Sequence, residues 1–174
     1  MKKHAFLAVA GLFALSGCAM MRPVPIAVAD VQPTQGNSAH GTVTFVERSG
    51  KIMADVELQG LRPGQHGIHI HEKGDCSAPD ATSAGGHYNP TNEPHGAPDA
   101  DKRHAGDFGN VTADASGNVS QKITVDTWRL GMTKVAQNTI AGRALVVHAD
   151  PDDLASQPAG NSGKRVACGV ITMQ

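Results

Sequence analysis

Gly67-Ile68-His69-Ile70-His71-Glu72 alternates apolar and imidazole side chains at a period of two. In a strand that period puts Ile68 and Ile70 on one face and brings His69 and His71 together on the other. The isoleucine face asks for a core. Two neighbouring imidazoles on the opposite face make half of a metal site, whereas a lone histidine is more often a satisfied core residue. Other short segments around this stretch share the alternation. Gly41 to Glu47 and Lys51 to Leu58 flank Arg48-Ser49-Gly50 and predict a hairpin. Phe108 to Ala113 and Val119 to Val125 flank the turn Asp114 to Asn118 and predict a second. Arg143 to Ala149 and Val166 to Thr172 are further strands, and no long amphipathic helix or internal repeat is visible. Many short strands separated by turn residues predict an all-β sandwich or barrel.

Composition points the same way. The 174 residues include 20 glycines, 10 prolines and 3% aromatics, a turn-rich chain with few bulky core residues and the length of one domain. With a net charge of -1 there is no basic surface to track a phosphate backbone, so nucleic acid is not an expected partner.

The start of the chain reads as a targeting segment. Lys2 and Lys3 precede an apolar run from Ala5 to Leu15 that is short for a membrane span. Leu15-Ser16-Gly17-Cys18 resembles the lipobox of bacterial lipoproteins, which makes 1–17 a signal peptide and Cys18 a lipidated first residue; an ordinary secretory signal is the alternative. Alanine after Cys18 resembles lipoproteins forwarded to the outer membrane, so the expected location is the periplasm, attached to that membrane through lipid. Residues 18–37, with Pro23, Pro25 and Pro33, read as a flexible tether ahead of a domain over 38–174. Of the three cysteines, a lipidated Cys18 leaves Cys76 and Cys168, which an oxidising compartment lets bridge. Two buried thiols are the alternative.

Two stretches are long for loops in a compact domain: Glu72 to Gly106 and Asp150 to Lys164. The first carries His87, His95 and His104 and ends just before Asp107, and His148 closes the strand Leu145-Val146-Val147-His148. Imidazole suits copper and zinc, and a carboxylate among imidazoles favours zinc. His69, His71, His87, His95, His104, Asp107 and His148 exceed the needs of one ion, and two four-ligand sites that share one residue account for all seven.

With these motifs goes a set that falls in one order: Gly85-Gly86-His87-Tyr88-Asn89-Pro90, His95-Gly96, His104-Ala105-Gly106-Asp107, Gly109-Asn110, Gly142-Arg143-Ala144-Leu145-Val146-Val147-His148 and Arg165-Val166-Ala167-Cys168-Gly169-Val170-Ile171. Over about residues 40 to 172 the chain resembles the copper/zinc superoxide dismutase family. That resemblance implies an eight-stranded Greek-key β-barrel, or flattened sandwich, with two long functional loops. It implies copper on His69, His71, His87 and His148, and zinc on His87, His95, His104 and Asp107, with His87 bridging the two. The substrate would be the superoxide anion, converted to oxygen and hydrogen peroxide, with His87 also holding and returning a proton. Arg165 would attract and orient the anion, Asp152 would link His69 to His95, and His66 would pack behind the copper ligands. A copper- and zinc-holding lipoprotein without turnover is the alternative, but such a protein has no need of Arg165.

The sequence departs from eukaryotic members in two places. Cys76 lies closer to His71, with a longer run on to His87, which reshapes a region often used for dimerisation and leaves a homodimer only a possibility. Leu154 to Gly163 has no charged residue, so guidance of the anion falls to Lys164 and Arg165. Trp128 and Met132 are expected in a loop between strands.

Overall fold

The computed structural model describes residues 27–48, 51–126 and 139–174. These form strands β1 (Ala27–Pro33), β2 (His40–Arg48), β3 (Lys51–Gln59), β4 (Gly64–His71), β5 (Asp107–Ala113), β6 (Val119–Asp126), β7 (Ala144–His148) and β8 (Arg165–Met173), with a 3-10 turn at Thr82–Ala84. Their order in the sheet is β5-β4-β7-β8-β1-β2-β3-β6, and every pairing is antiparallel. Because β4 and β7 lie beside strands that are not their sequence neighbours, the chain crosses between the halves of the barrel in the expected Greek-key manner. The ends of the order close on each other through a side chain. Thr112 N donates to Gln121 Oε1 at 3.2 Å, and Gln121 Nε2 donates to Asn110 O at 3.3 Å, across the seam between β5 and β6.

The strands read from alternation are all present, and one more joins them. The tether expected over 18–37 is shorter than that reading, because Ala27–Pro33 is β1, paired with both β2 and β8. Ala27, Ala29 and Val31 are fully buried while Asp30 is exposed, a period-two pattern written in small residues between prolines. The signal segment with Cys18, the remainder of the tether to 26, the hairpin tip at 49–50, and Trp128 and Met132 all lie outside the described residues.

The barrel interior holds Val31, Val43, Phe45, Ile52, Val56, Ile68, Ile70, Leu145, Val147 and Ile171, all fully buried. Phe45 and Phe108 meet edge-on across it, ring centroids 6.5 Å apart. Burying each of the larger aliphatic side chains contributes about 1.5–3 kcal/mol. On β4 the alternation is decisive. Ile68 and Ile70 join this core, while His69 and His71 point outward and are nonetheless buried, because the two long loops cover that face. A second, smaller apolar cluster lies under the first loop, where Ala144, Val146 and Cys168 meet Ala81, Ala84 and Cys76. The Cys76–Cys168 disulfide pins the loop there. Its ends are 92 residues apart, and closing a loop of that length stabilises the fold by about 4–5 kcal/mol in the chain-entropy model.

Candidate metal centre

His69 and His71 come from β4 and His148 from the end of β7, two paired strands. The ladder slips between Gly67 and His69 in the β4–β5 pairing, and between Val147 and His148 in the β7–β8 pairing. Such irregularities re-aim a side chain. His87 arrives from the loop, but its surroundings are stitched to β4: Tyr88 N donates to Ile70 O at 2.8 Å, and Glu72 N to Gly86 O at 2.9 Å. An isolated bridge also pairs His71 with His87. Asp107 opens β5, and its Oδ2 accepts from His104 N at 2.8 Å and Gly96 N at 3.1 Å, so the carboxylate organises the loop segments that carry His95 and His104.

The seven side chains form two groups that share one member. His69, His71, His87 and His148 are one; His87, His95, His104 and Asp107 are the other; within each, the candidate ligand atoms lie within 4.8 Å of one another. All seven residues are buried. The unpartnered atoms single out the metal-facing nitrogens. His69 Nδ1, His71 Nε2, His87 Nε2 and His148 Nε2 are buried without a hydrogen-bond partner, while His95 Nδ1 and His104 Nδ1 meet only Asp107 Oδ1. Buried polar atoms are nearly always satisfied, so four converging exceptions fit the binding of a cation.

The opposite nitrogens of most rings are held. His69 Nε2 donates to Asp152 Oδ2 at 2.8 Å, His95 Nε2 to Asp152 Oδ1 at 2.9 Å, and His71 Nδ1 to the Gly85 carbonyl at 2.9 Å. His87 Nδ1 faces Asp107 Oδ1 at 2.9 Å. Such contacts fix the tautomer and aim the other nitrogen. In the second group His95 Nδ1 and His104 Nδ1 also stand 3.0 and 3.2 Å from Asp107 Oδ1. Three imidazole nitrogens around one carboxylate oxygen form a shell with room for a cation between them.

Charge states fit the same purpose. Burial, then repulsion from His87, brings His71 down to about 2. Burial, with His69 and His87 nearby, brings His148 down to about 3. Burial also outweighs the Asp107 bond and takes His87 to about 4. These rings are therefore neutral, the form that binds a metal. Burial alone would raise Asp107, but bonds from His104, His87 and His95 hold its carboxyl far below the usual carboxylate range. His95 is the exception: burial opposes its protonation, yet the bonds to Asp107 and Asp152 outweigh that and lift it to about 9. Without a metal, a proton there supplies the positive charge that Asp107 and Asp152 demand.

Copper and zinc suit this donor set, an all-imidazole group beside a three-imidazole, one-carboxylate group. The model of the copper/zinc superoxide dismutase family matches residues 39–171. The chain belongs to that family. The dismutase fold recurs in a solved structure described as the clock protein EA4, which is 35% identical and covers 86% of this chain and 96% of its own, with a TM-score of 0.76. The activity of this superoxide dismutase is thus the conversion of superoxide to oxygen and hydrogen peroxide, with copper and zinc as cofactors.

Asp152, His66 and Arg165, singled out from the dismutase sequence, contact the two groups or the main chain next to them. Asp152, 3% exposed, reaches one ring of each group. His66 presents Nδ1 to the carbonyl of His148 and Nε2 to that of Arg62, both at 2.8 Å. Arg165 is half-buried at the start of β8, with Nη1 on the Ala81 carbonyl at 2.7 Å and Nη2 on the Gly85 carbonyl at 2.6 Å. Sequence reasoning missed several supporting residues, two of which pack on Asp152. Asn110 clasps the main chain of Asp152: its Oδ1 accepts from Asp152 N at 2.7 Å and its Nδ2 donates to Asp152 O at 2.9 Å. Gly160 packs so tightly behind Asp152 that a Cβ there would overlap Oδ1 and stand 2.7 Å from His95 Nε2. Only the Gly109-Asn110 motif hinted at the first, and nothing in the sequence pointed to the second.

Proposed function

We propose that His69, His71, His87 and His148 hold the copper, that His87, His95, His104 and Asp107 hold the zinc, and that His87 belongs to both. The observation that carries this reading is the convergence of six buried ring nitrogens, four without protein partners in the first group and two gathered on Asp107 in the second. Copper held by the first group would supply the one-electron redox chemistry that dismutation needs. Everything else falls to the chain's own side chains.

Arg165 attracts the anion. Its charge is within electrostatic reach of His71 and His148, and the two carbonyls it bonds keep the guanidinium from folding away into solvent. Lys164, exposed beside it, adds to the local positive field. Superoxide becomes hydrogen peroxide only with two protons, and His87 Nε2, which faces the first group, is the atom placed to hold one of them. Asp107 on the far side of that ring keeps its orientation during the transfer. Zinc carries no redox chemistry, and its task on this reading is to hold the loop and the His87 ring.

The formed disulfide belongs to an oxidising environment. Among the described residues no helix is long and apolar enough to cross a membrane. The lipobox reading adds to this a periplasmic protein anchored through Cys18 to the outer membrane, which mass analysis of the amino-terminal peptide from membranes would test: a diacylated Cys18 is expected, and an unmodified one would overturn the anchor.

Metal content and superoxide turnover, compared with His148→Ala, test the assignment. The variant is expected to lose copper and turnover while keeping zinc. Retained turnover would overturn the copper assignment.

A further inference from the structure

His95 sits in a stretch of the first loop with no strand around it, yet it presents Nδ1 3.0 Å from Asp107 Oδ1. Its ring is held by Asp152. Its main chain is held by neither strand nor turn: among the described residues, its amide and carbonyl meet no main-chain partner. Both bond instead to one side chain of the second loop. His95 N donates to Gln157 Oε1 at 2.8 Å, and Gln157 Nε2 donates to His95 O at 2.9 Å and to Ala155 O at 3.1 Å.

We propose that Gln157 is a positioning residue for the zinc site, its carboxamide clasping the main chain of His95 as a neighbouring strand would and tying zinc retention to closure of the loop over 150–164. The inference rests on the assignment of the second group to zinc. A carboxamide offers one acceptor and one donor face at the spacing of a peptide group, so it can satisfy the amide and the carbonyl of one residue together. Neither face of His95's peptide groups can then rotate without breaking a hydrogen bond. With Asp152 on the ring and Gln157 on the main chain, His95 is gripped twice by the same loop. The loop that ends at Arg165 is therefore fastened to the zinc side of the centre, and zinc and loop closure favour each other.

Gln157 is exposed, so its replacement removes the clasp without opening the core. Gln157→Met keeps the length and discards the polar atoms; Gln157→Ala discards both. The measurements are zinc and copper affinity by chelator competition, the visible spectrum of cobalt placed in the zinc site, and hydrogen exchange over 153–163. In both variants zinc affinity is expected to fall about tenfold or more, the range for residues that orient a ligand. Copper affinity should fall much less, the cobalt bands should change, and exchange in the loop should quicken. Zinc affinity within twofold of the parent with an unchanged cobalt spectrum would overturn the proposal, and so would equal losses of zinc and copper, which would mark a general structural role. Failure of the parent protein itself to bind zinc at this group would overturn the assignment beneath it.

Discussion

Arg165 and His71 share a hydrogen-bond acceptor, the carbonyl oxygen of Gly85, which takes Nη2 of the first at 2.6 Å and Nδ1 of the second at 2.9 Å. One peptide group in the disulfide-pinned loop thus holds both the Arg165 guanidinium, the proposed guide of the anion, and the His71 ring, a proposed copper ligand. Gly85 has φ +75, and a Cβ there would collide with the Glu72 carboxylate. Gly85→Ala should therefore lower copper affinity and kcat/KM together, measured by chelator competition and by turnover; a loss confined to one of them would contradict the shared role.

Arg165→Gln keeps some hydrogen bonding and discards the charge. The expected result is a fall in kcat/KM of about tenfold, in line with steering effects, and a weaker dependence on ionic strength. Unchanged salt dependence would show that the charge does not steer the anion.

Gly160→Ala forces a Cβ onto Asp152 at a residue with φ +64. Because Asp152 holds one ring from each group, both metals should bind about 10–100-fold more weakly. Strain and the lost contacts should lower stability by about 1–3 kcal/mol. Metal affinities equal to the parent's would mean that the loop accommodates the methyl group and that Asp152 is not gripped there.

Acid should destabilise the metal-free protein before its carboxylates titrate. His71, His87 and His148 are held down to about 2, 4 and 3, while an unfolded histidine protonates near 6.5. Below 6.5 the unfolded chain therefore binds protons that the folded one refuses, and stability falls as pH drops from 6.5 toward 4. His95 has the opposite sign: raised to about 9, its contribution is complete below 6.5 and is lost as pH rises through 9. Thermal midpoints of the metal-free protein should peak near neutrality and decline on both sides. A midpoint that is flat from 4 to 6.5 would refute the buried neutral rings.

Reducing the Cys76–Cys168 bridge should cost about 4–5 kcal/mol, roughly 10 °C or more in thermal midpoint for a domain of this size. It also frees the loop that carries Ala81 and Gly85, so kcat/KM should fall at temperatures where the reduced protein is still folded. Full turnover in the reduced, folded protein would separate Arg165 from the bridge.

The metal-facing residues were legible because coordination chemistry admits few side chains and strand periodicity sets their face: His69 and His71 could be placed from six residues of sequence. The strands followed from alternation wherever the buried face is made of valine and isoleucine, while their closure into a barrel was implied by the family resemblance. Alternation failed at β1, where Ala27 and Ala29 fill the buried positions and Pro33 imitates a linker, since the burial of a methyl group leaves a faint pattern. Gln157 and Asn110 were illegible as supports for a different reason. An amide that clasps a distant main chain carries no local signature, and its partner is chosen by how two loops meet. Gly160 is the same case in steric form, a position defined by what would collide there.

The closure of the barrel by the Gln121 carboxamide has a consequence for self-association. Among the described residues no main-chain ladder joins β5 to β6; beyond the turn bond from Asp114 N to Asn118 O, the hydrogen bonds across the seam are those of the Gln121 side chain. Unpaired edges template pairing with other chains. The same β5 begins at Asp107 and carries Asn110, which grips Asp152. Parting that seam would disturb the start of β5 at Asp107 and the Asn110 grip on Asp152 while baring two strands, so edge exposure and loosening of the metal groups are expected to go together.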